Sequence, residues 1–123
     1  MKLTENFNLS EFQCKCGCVM PDDVKSNIIK LANNLQVLRN YLGKPIKLTN
    51  AYRCESHNKA VGGVKTSQHL FGKAADIQVK NLSPIEIAEK IELLIDRGDM
   101  LQGGLGIYNS FIHTDIRRTK ARW

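Results

Sequence analysis

Residues 67–76 read Ser67-Gln68-His69-Leu70-Phe71-Gly72-Lys73-Ala74-Ala75-Asp76, and how this stretch is laid down decides the fold. Residues 73–79 put Ala75, Ile77 and Val79 at alternate positions, the period of a strand with one buried face. Asp76 then faces the other way, and His69 lies just upstream of the strand. A second alternating run, Phe111 to Ile116, sets Ile112 and Ile116 on one side and Phe111, His113 and Asp115 on the other. If the two strands are neighbours, His69, Asp76 and His113 converge. Two imidazoles and one carboxylate with an open fourth position make the ligand set of a catalytic zinc site, whereas closed structural sites use four protein ligands, often cysteine.

Upstream, Val24, Ile28, Leu31, Leu35, Leu38 and Leu42 recur at the spacing of one helix face, after Pro21-Asp22-Asp23 and before a Gly43 stop. A strand is expected over Ile46 to Tyr52, followed by a segment from Arg53 to Gly72 rich in Gly, Ser, His and Lys, with a turn at Gly62-Gly63. Downstream, Ser83-Pro84-Ile85-Glu86 carries the signals of a helix start, with Ser as N-cap and Glu placed for a capping box. That helix should run to about Arg97, burying Ile85, Ala88, Ile91 and Ile95. Strands at Leu105 to Tyr108 and Phe111 to Ile116, joined by a tight turn at Asn109-Ser110, complete an α+β fold with a small antiparallel sheet and flanking helices.

The chain of 123 residues is 42% hydrophobic and 24% charged, the composition of one ordinary globular domain covering 1–123. It needs no metal or disulfide merely to fold, so a metal site is expected to serve chemistry. No apolar run reaches the roughly 18–20 residues of a membrane span. The start, MKLTENFNLSEF, has no apolar signal-peptide core, so the expectation is synthesis in the cytosol. The net charge of +6 suits an acidic partner. Nucleic acid is not expected, because basic residues are not interleaved with aromatic platforms and no standard motif is present. Arg117, Arg118, Lys120 and Arg122 form a basic tail over 117–123, which reads as a solvated terminus or as a contact to an anionic polymer.

The segment at 67–76 has the form SxHxxGxAxD, which resembles the zinc motif of the M15-type D-Ala-D-Ala carboxypeptidase and peptidoglycan peptidase family, whose fold is shared with the zinc-bearing domain of hedgehog. Thr49-Asn50-Ala51-Tyr52-Arg53 resembles the family's S-x-Y-R strand, and Gly106-Ile107-Tyr108 through His113-Thr114-Asp115 resembles its final paired strands with an HxD motif. The resemblance runs from Asn8 to about Arg118. It implies one catalytic zinc ion held by His69, Asp76 and His113, with Arg53 engaging a substrate carboxylate or carbonyl and Ser67 hydrogen-bonding substrate near the metal.

Many relatives place a catalytic Glu or Asp three residues before the last ligand, or a His two before it. Here those positions are Ser110 and Phe111, so Asp115 is left either as general base or as a group that orients a ligand. The implied activity is zinc-dependent hydrolysis of peptidoglycan stem peptides, by a D,D-carboxypeptidase or an endopeptidase. A non-catalytic zinc-bearing wall-binding domain of the same fold is the alternative. The implied place of action is the cell wall after a phage-type release, with the positive charge as targeting device and the protein a monomer.

His57 falls in the turn after Arg53, near the site by resemblance, and reads as a turn residue or a catalytic one. Tyr52 and Trp123 read as packing residues, and Tyr108 is undecided. Cys14, Cys16 and Cys18 form CxCxC in the N-terminal arm, 1–20, with Cys54 apart. Reduced or structural thiols, disulfides and a second metal all remain open, although four-cysteine zinc sites usually use CxxC pairs.

Overall fold

A sheet of five strands takes shape because each apolar alternation finds a helix to cover it. The computed structural model describes residues 1–123. Helix α1 (Asp22–Leu42) is followed by β1 (Ile46–Asn50), the short α2 (Glu55–Ala60), β2 (Ala74–Val79), α3 (Pro84–Asp96), β3 (Gly104–Ile107), β4 (Ile112–Asp115) and β5 (Ala121–Arg122), with 3₁₀ turns at Leu9–Phe12 and Gln68–Phe71. The strand order is β1-β2-β4-β3-β5. All neighbours are antiparallel except β3 and β5, which run parallel. No helix is long and apolar enough to cross a membrane.

Helix α1 begins one residue after Pro21, carries Asp22 and Asp23 in its first turn, and stops at Gly43 in the left-handed conformation, φ 64°. Acidic residues there complement the positive end of the helix dipole, and a left-handed C-terminal residue is the conformation glycine adopts without strain. Val24, Ile28, Leu31, Leu35 and Leu38 are buried as the periodicity requires. Asn34 is buried beside them, because its Oδ1 accepts the Leu101 N–H at 2.8 Å and pins the loop after α3 to α1.

Helix α3 starts with the capping box between Ser83 and Glu86, but its buried face differs from the expected stripe. Ile87, Ala88, Ile91 and Leu94 face the core, Ile95 is only partly buried, and Ile85 is 58% exposed. At 100° per residue, Ile85 lies far round the helix from the centre of the set 87, 91 and 94. Apolar content in the first turn had masked the true phase.

The N-terminal arm is part of the core rather than an appendage. Phe7 and Phe12 are fully buried, edge to face at 6.1 Å between ring centroids, and the Tyr52 N–H donates to the Phe12 carbonyl at 3.1 Å. The basic tail is only partly solvated, with Arg118 and Lys120 exposed and Arg117 and Arg122 half-buried. Ala121–Arg122 form β5, the Arg122 guanidinium clasps Glu92 at 2.7 and 3.0 Å, and Trp123 is drawn back over the sheet. An edge strand with open N–H and C=O groups on β3 is the reason this tail has somewhere to bind.

Candidate metal centre and its cleft

The central pairing of the sheet builds the site. Strands β2 and β4 are hydrogen-bonded neighbours, with Asp76 directly opposite His113 and Ala74 opposite Asp115. Ile77 and Ile112 lie on the core face, which leaves Asp76, His113 and Asp115 on the other. His69 comes from the 3₁₀ turn just upstream. Ser67 caps that turn by accepting the His69 N–H at 3.2 Å, and Gly72 closes it at φ 70°.

Asp76 Oδ1 lies 3.3 Å from His69 Nε2 and 3.3 Å from His113 Nδ1. The distal nitrogen of each ring is already committed. His69 Nδ1 lies 2.7 Å from the Ala51 carbonyl, and His113 Nε2 lies 2.7 Å from Asp115 Oδ2. A carbonyl and an ionised carboxylate can only accept, so those nitrogens carry the protons. His69 Nε2 and His113 Nδ1 therefore present lone pairs toward Asp76 Oδ1, which is buried and has no hydrogen-bond partner. Three acceptors facing one another out of water are unfavourable unless a cation lies between them. Tetrahedral zinc with bonds of about 2.0–2.1 Å spaces neighbouring ligand atoms about 3.3–3.4 Å apart, which matches the separations here. The residues fit the ion, and the three side chains leave the fourth direction open to the cleft.

Protons and a cation compete for this space. Burial alone would raise the Asp76 carboxyl, but hydrogen bonding and charge from His113 and His69 in their protonated form bring it down to about 2. Burial works against a charged His113, yet Asp115 and Asp76 beside it raise its pKa above the ordinary value. Asp115 is held well below the usual carboxylate range: burial opposes this, and the bonds from His113 and Arg117 outweigh it.

Asp115 is the residue whose expected roles the geometry separates. Its side chain has no exposed surface. Oδ1 accepts from the Gly104 N–H at 2.8 Å and the Arg117 N–H at 3.1 Å, while Oδ2 accepts from His113 Nε2 and from Arg117 Nη2, each at 2.7 Å. This saturated, sealed carboxylate is not among the residues lining the cleft. It lies behind His113, the placement of a group that orients a ligand, which was one of its two expected roles. Gly104 is part of the device, because a Cβ there would collide with the Asp115 carboxylate.

A cleft of about 430 Å³ opens over these residues, lined among others by Arg53, Ser67, Tyr108, Phe111, Arg117 and Trp123. Arg53 Nη2 donates to Ser67 Oγ at 3.1 Å, and the Arg53 N–H donates to the His69 carbonyl at 3.1 Å. Burial lowers the Arg53 pKa from its ordinary value, and the group stays cationic. Ser67 Oγ already accepts from Arg53 and from the His69 N–H, so its hydroxyl proton is what it has left to offer.

The tail supplies a wall that sequence reasoning assigned to packing or solvent. Trp123 lies over His113 at 4.9 Å between ring centroids and donates Nε1–H to the Tyr108 hydroxyl at 2.8 Å, while Tyr108 stacks on Phe111 at 4.6 Å. The Arg117 guanidinium sits 5.3 Å over the Trp123 ring. Gly106 permits this, since a Cβ there would strike the indole. The i, i+2 spacing of His113, Asp115 and Arg117 was the available signal that Arg117 shares their face. His57 does not line the cleft. It lies in α2, where its N–H points at the Cys54 sulfur.

Matches to known proteins bear on this site. The family model described as Peptidase M15 matches residues 5–115. A stretch of 62 residues is 34% identical to a protein of Streptomyces albus G named zinc D-Ala-D-Ala carboxypeptidase. That stretch is 50% of this chain and spans 24% of the relative's length.

Proposed function

From the premise that the chain belongs to the Peptidase M15 family, we propose that it is a zinc-dependent peptidase acting on peptidoglycan stem peptides. The observation that carries this is the orphaned Asp76 Oδ1 between two imidazole lone pairs at the floor of an open cleft. His69 Nε2, Asp76 Oδ1 and His113 Nδ1 would hold the ion. When bound, zinc supplies Lewis acidity toward water and toward a carbonyl oxygen.

The chain's own residues do the rest. The Ala51 carbonyl and Asp115 keep both histidines in the tautomer that leaves the metal-facing nitrogen unprotonated, and Arg117 keeps Asp115 ionised. Arg53, braced by Ser67, offers a cationic fork for a carboxylate of the peptide. Trp123 and Tyr108 shield one side of the centre from bulk water and give the bound peptide a flat wall. The excess positive charge draws the protein toward an anionic wall polymer.

One observation favours a second reading, a zinc-bearing wall-binding domain without turnover. Asp76 is the one carboxylate among the residues lining the cleft, and it is itself a metal ligand in this account. Incubating the zinc-loaded protein with purified muropeptides and weighing the products separates the two. Loss of a terminal D-Ala assigns a carboxypeptidase and splitting of an internal bond an endopeptidase. Unchanged masses with retained binding leave the binding domain.

A further inference from the structure

The four cysteines lie outside this cleft, and the proposed hydrolysis uses none of them. Three come from the N-terminal arm, and Cys54 follows Arg53 at the start of α2. The fold brings all four together. Cys14 Sγ lies 3.2 Å from Cys16 Sγ and 3.8 Å from Cys54 Sγ, and Cys16 Sγ lies 3.4 Å from Cys54 Sγ. With Cys18, one sulfur from each residue lies within 4.8 Å of every other. The four are free thiols.

These distances have a chemical meaning. A disulfide brings two sulfurs to about 2.05 Å and leaves other cysteines outside the pair. Tetrahedral zinc with Zn–S bonds of about 2.3 Å spaces four sulfurs about 3.8 Å apart. The cluster is a mutual group rather than two pairs, which is the second pattern.

The backbone is shaped to the same end. The Gly17 N–H donates to the Cys14 carbonyl at 3.0 Å, and Gly17 takes φ +81°, where a side chain would be strained. This tight turn returns the chain between Cys16 and Cys18, so cysteines at alternate positions converge without a CxxC loop. Two backbone N–H groups point at sulfur: Cys54 N–H at Cys14 Sγ and His57 N–H at Cys54 Sγ, each at 3.5 Å. Such donors favour thiolate over thiol.

We propose that Cys14, Cys16, Cys18 and Cys54 form a second, structural zinc site that clamps the N-terminal arm to the turn carrying Arg53. Four protein ligands close the coordination shell, so this ion takes no part in hydrolysis. Its mechanical effect falls on the neighbouring residue, because the Arg53 N–H is bonded to the His69 carbonyl and its guanidinium to Ser67. The clamp thereby holds the cation that lines the cleft. The inference stands on the sulfur cluster and does not depend on the peptidase reading.

Metal counting on the full-length protein tests it. Elemental analysis should find two zinc ions per chain in the wild type, one in His69→Ala and one in Cys16→Ser. Reconstitution with cobalt(II) adds a signature that needs no activity. Thiolate-to-cobalt charge-transfer absorption in the near ultraviolet should appear in the wild type, persist in His69→Ala and disappear in Cys16→Ser. If Cys16→Ser does not fold, the wild type and His69→Ala decide between themselves. One zinc in the wild type with none in His69→Ala, a cobalt spectrum without the thiolate band, iron in place of zinc, or a disulfide among these four cysteines would overturn the proposal. Failure of the peptidase reading has a different signature, one zinc in both wild type and His69→Ala with the thiolate band intact.

Discussion

Replacing Asp115 with asparagine is the sharpest single-atom probe of how the metal centre is held. The carboxylate accepts six hydrogen bonds: one from the Gly104 N–H, one from the Arg117 N–H, three from the Arg117 guanidinium, whose Nε–H is shared by both oxygens, and one at 2.7 Å from His113 Nε2. Asparagine keeps the shape but must point an NH₂ at one side. Facing His113, the NH₂ would drive the imidazole into the tautomer that protonates Nδ1, the atom 3.3 Å from Asp76. Facing Arg117, it would set donor against donor. Either choice weakens a ligand that the change does not touch. Outer-shell substitutions of this kind cost about 10–100-fold in metal affinity, or about 1.4–2.7 kcal/mol.

The assay is competition for zinc against a chelator of known strength, with the thermal midpoint of the metal-free protein followed in parallel. We expect Asp115→Asn to bind zinc about 10–100-fold more weakly and to recover turnover when zinc is raised to saturation. Unchanged zinc affinity with turnover lost even at saturating zinc would refute the reasoning, because it would place Asp115 in the proton transfer itself. Unchanged affinity and turnover would remove any role.

Other consequences can be measured separately. Arg53→Ala should lower kcat/KM on a stem peptide about 10–100-fold, the cost of a charge-assisted hydrogen bond of about 1.5–3 kcal/mol, with zinc content unchanged; a substrate amidated at its carboxylate should erase the difference from wild type. Arg122 lowers the Glu92 pKa below its ordinary value of 4.5 by hydrogen bonding. That stabilisation is therefore present above pH 4.5 and lost as pH falls through the folded-state value, so the gap in thermal midpoint between wild type and Glu92→Gln should shrink in acid; a gap constant with pH would contradict the pairing. If the charge of +6 targets the wall, binding to anionic sacculi should weaken between low and high salt as screening shortens, and salt-insensitive binding would exclude it.

The parts of this molecule legible in its sequence are those where one period or one motif decides the outcome. The alternation at 73–79 and 111–116 foretold which face carries Asp76 and His113, and the sheet pairs them as neighbours. The helix face of α1 and its stop at Gly43 were equally plain. What escaped depends on contacts distant in the chain. Trp123 becomes part of the cleft only because β5 finds the open edge of β3, and no local pattern announces a two-residue parallel strand. Asp115 could be base or support from its spacing, and the Arg117 and Gly104 bonds that bury it are contacts no local pattern announces. Alternation allowed the CxCxC thiols to face one way, yet Gly17 and the approach of Cys54 are what make four sulfurs meet.

The central proposal is that His69, Asp76 and His113 would hold a zinc ion in a peptidase that acts on peptidoglycan stem peptides. Mass analysis of muropeptides after incubation with the zinc-loaded wild type and with His69→Ala tests it most directly. The account predicts a product shortened at one peptide bond with the wild type and intact muropeptides with His69→Ala. Intact muropeptides with both, or equal cleavage by both, would contradict it.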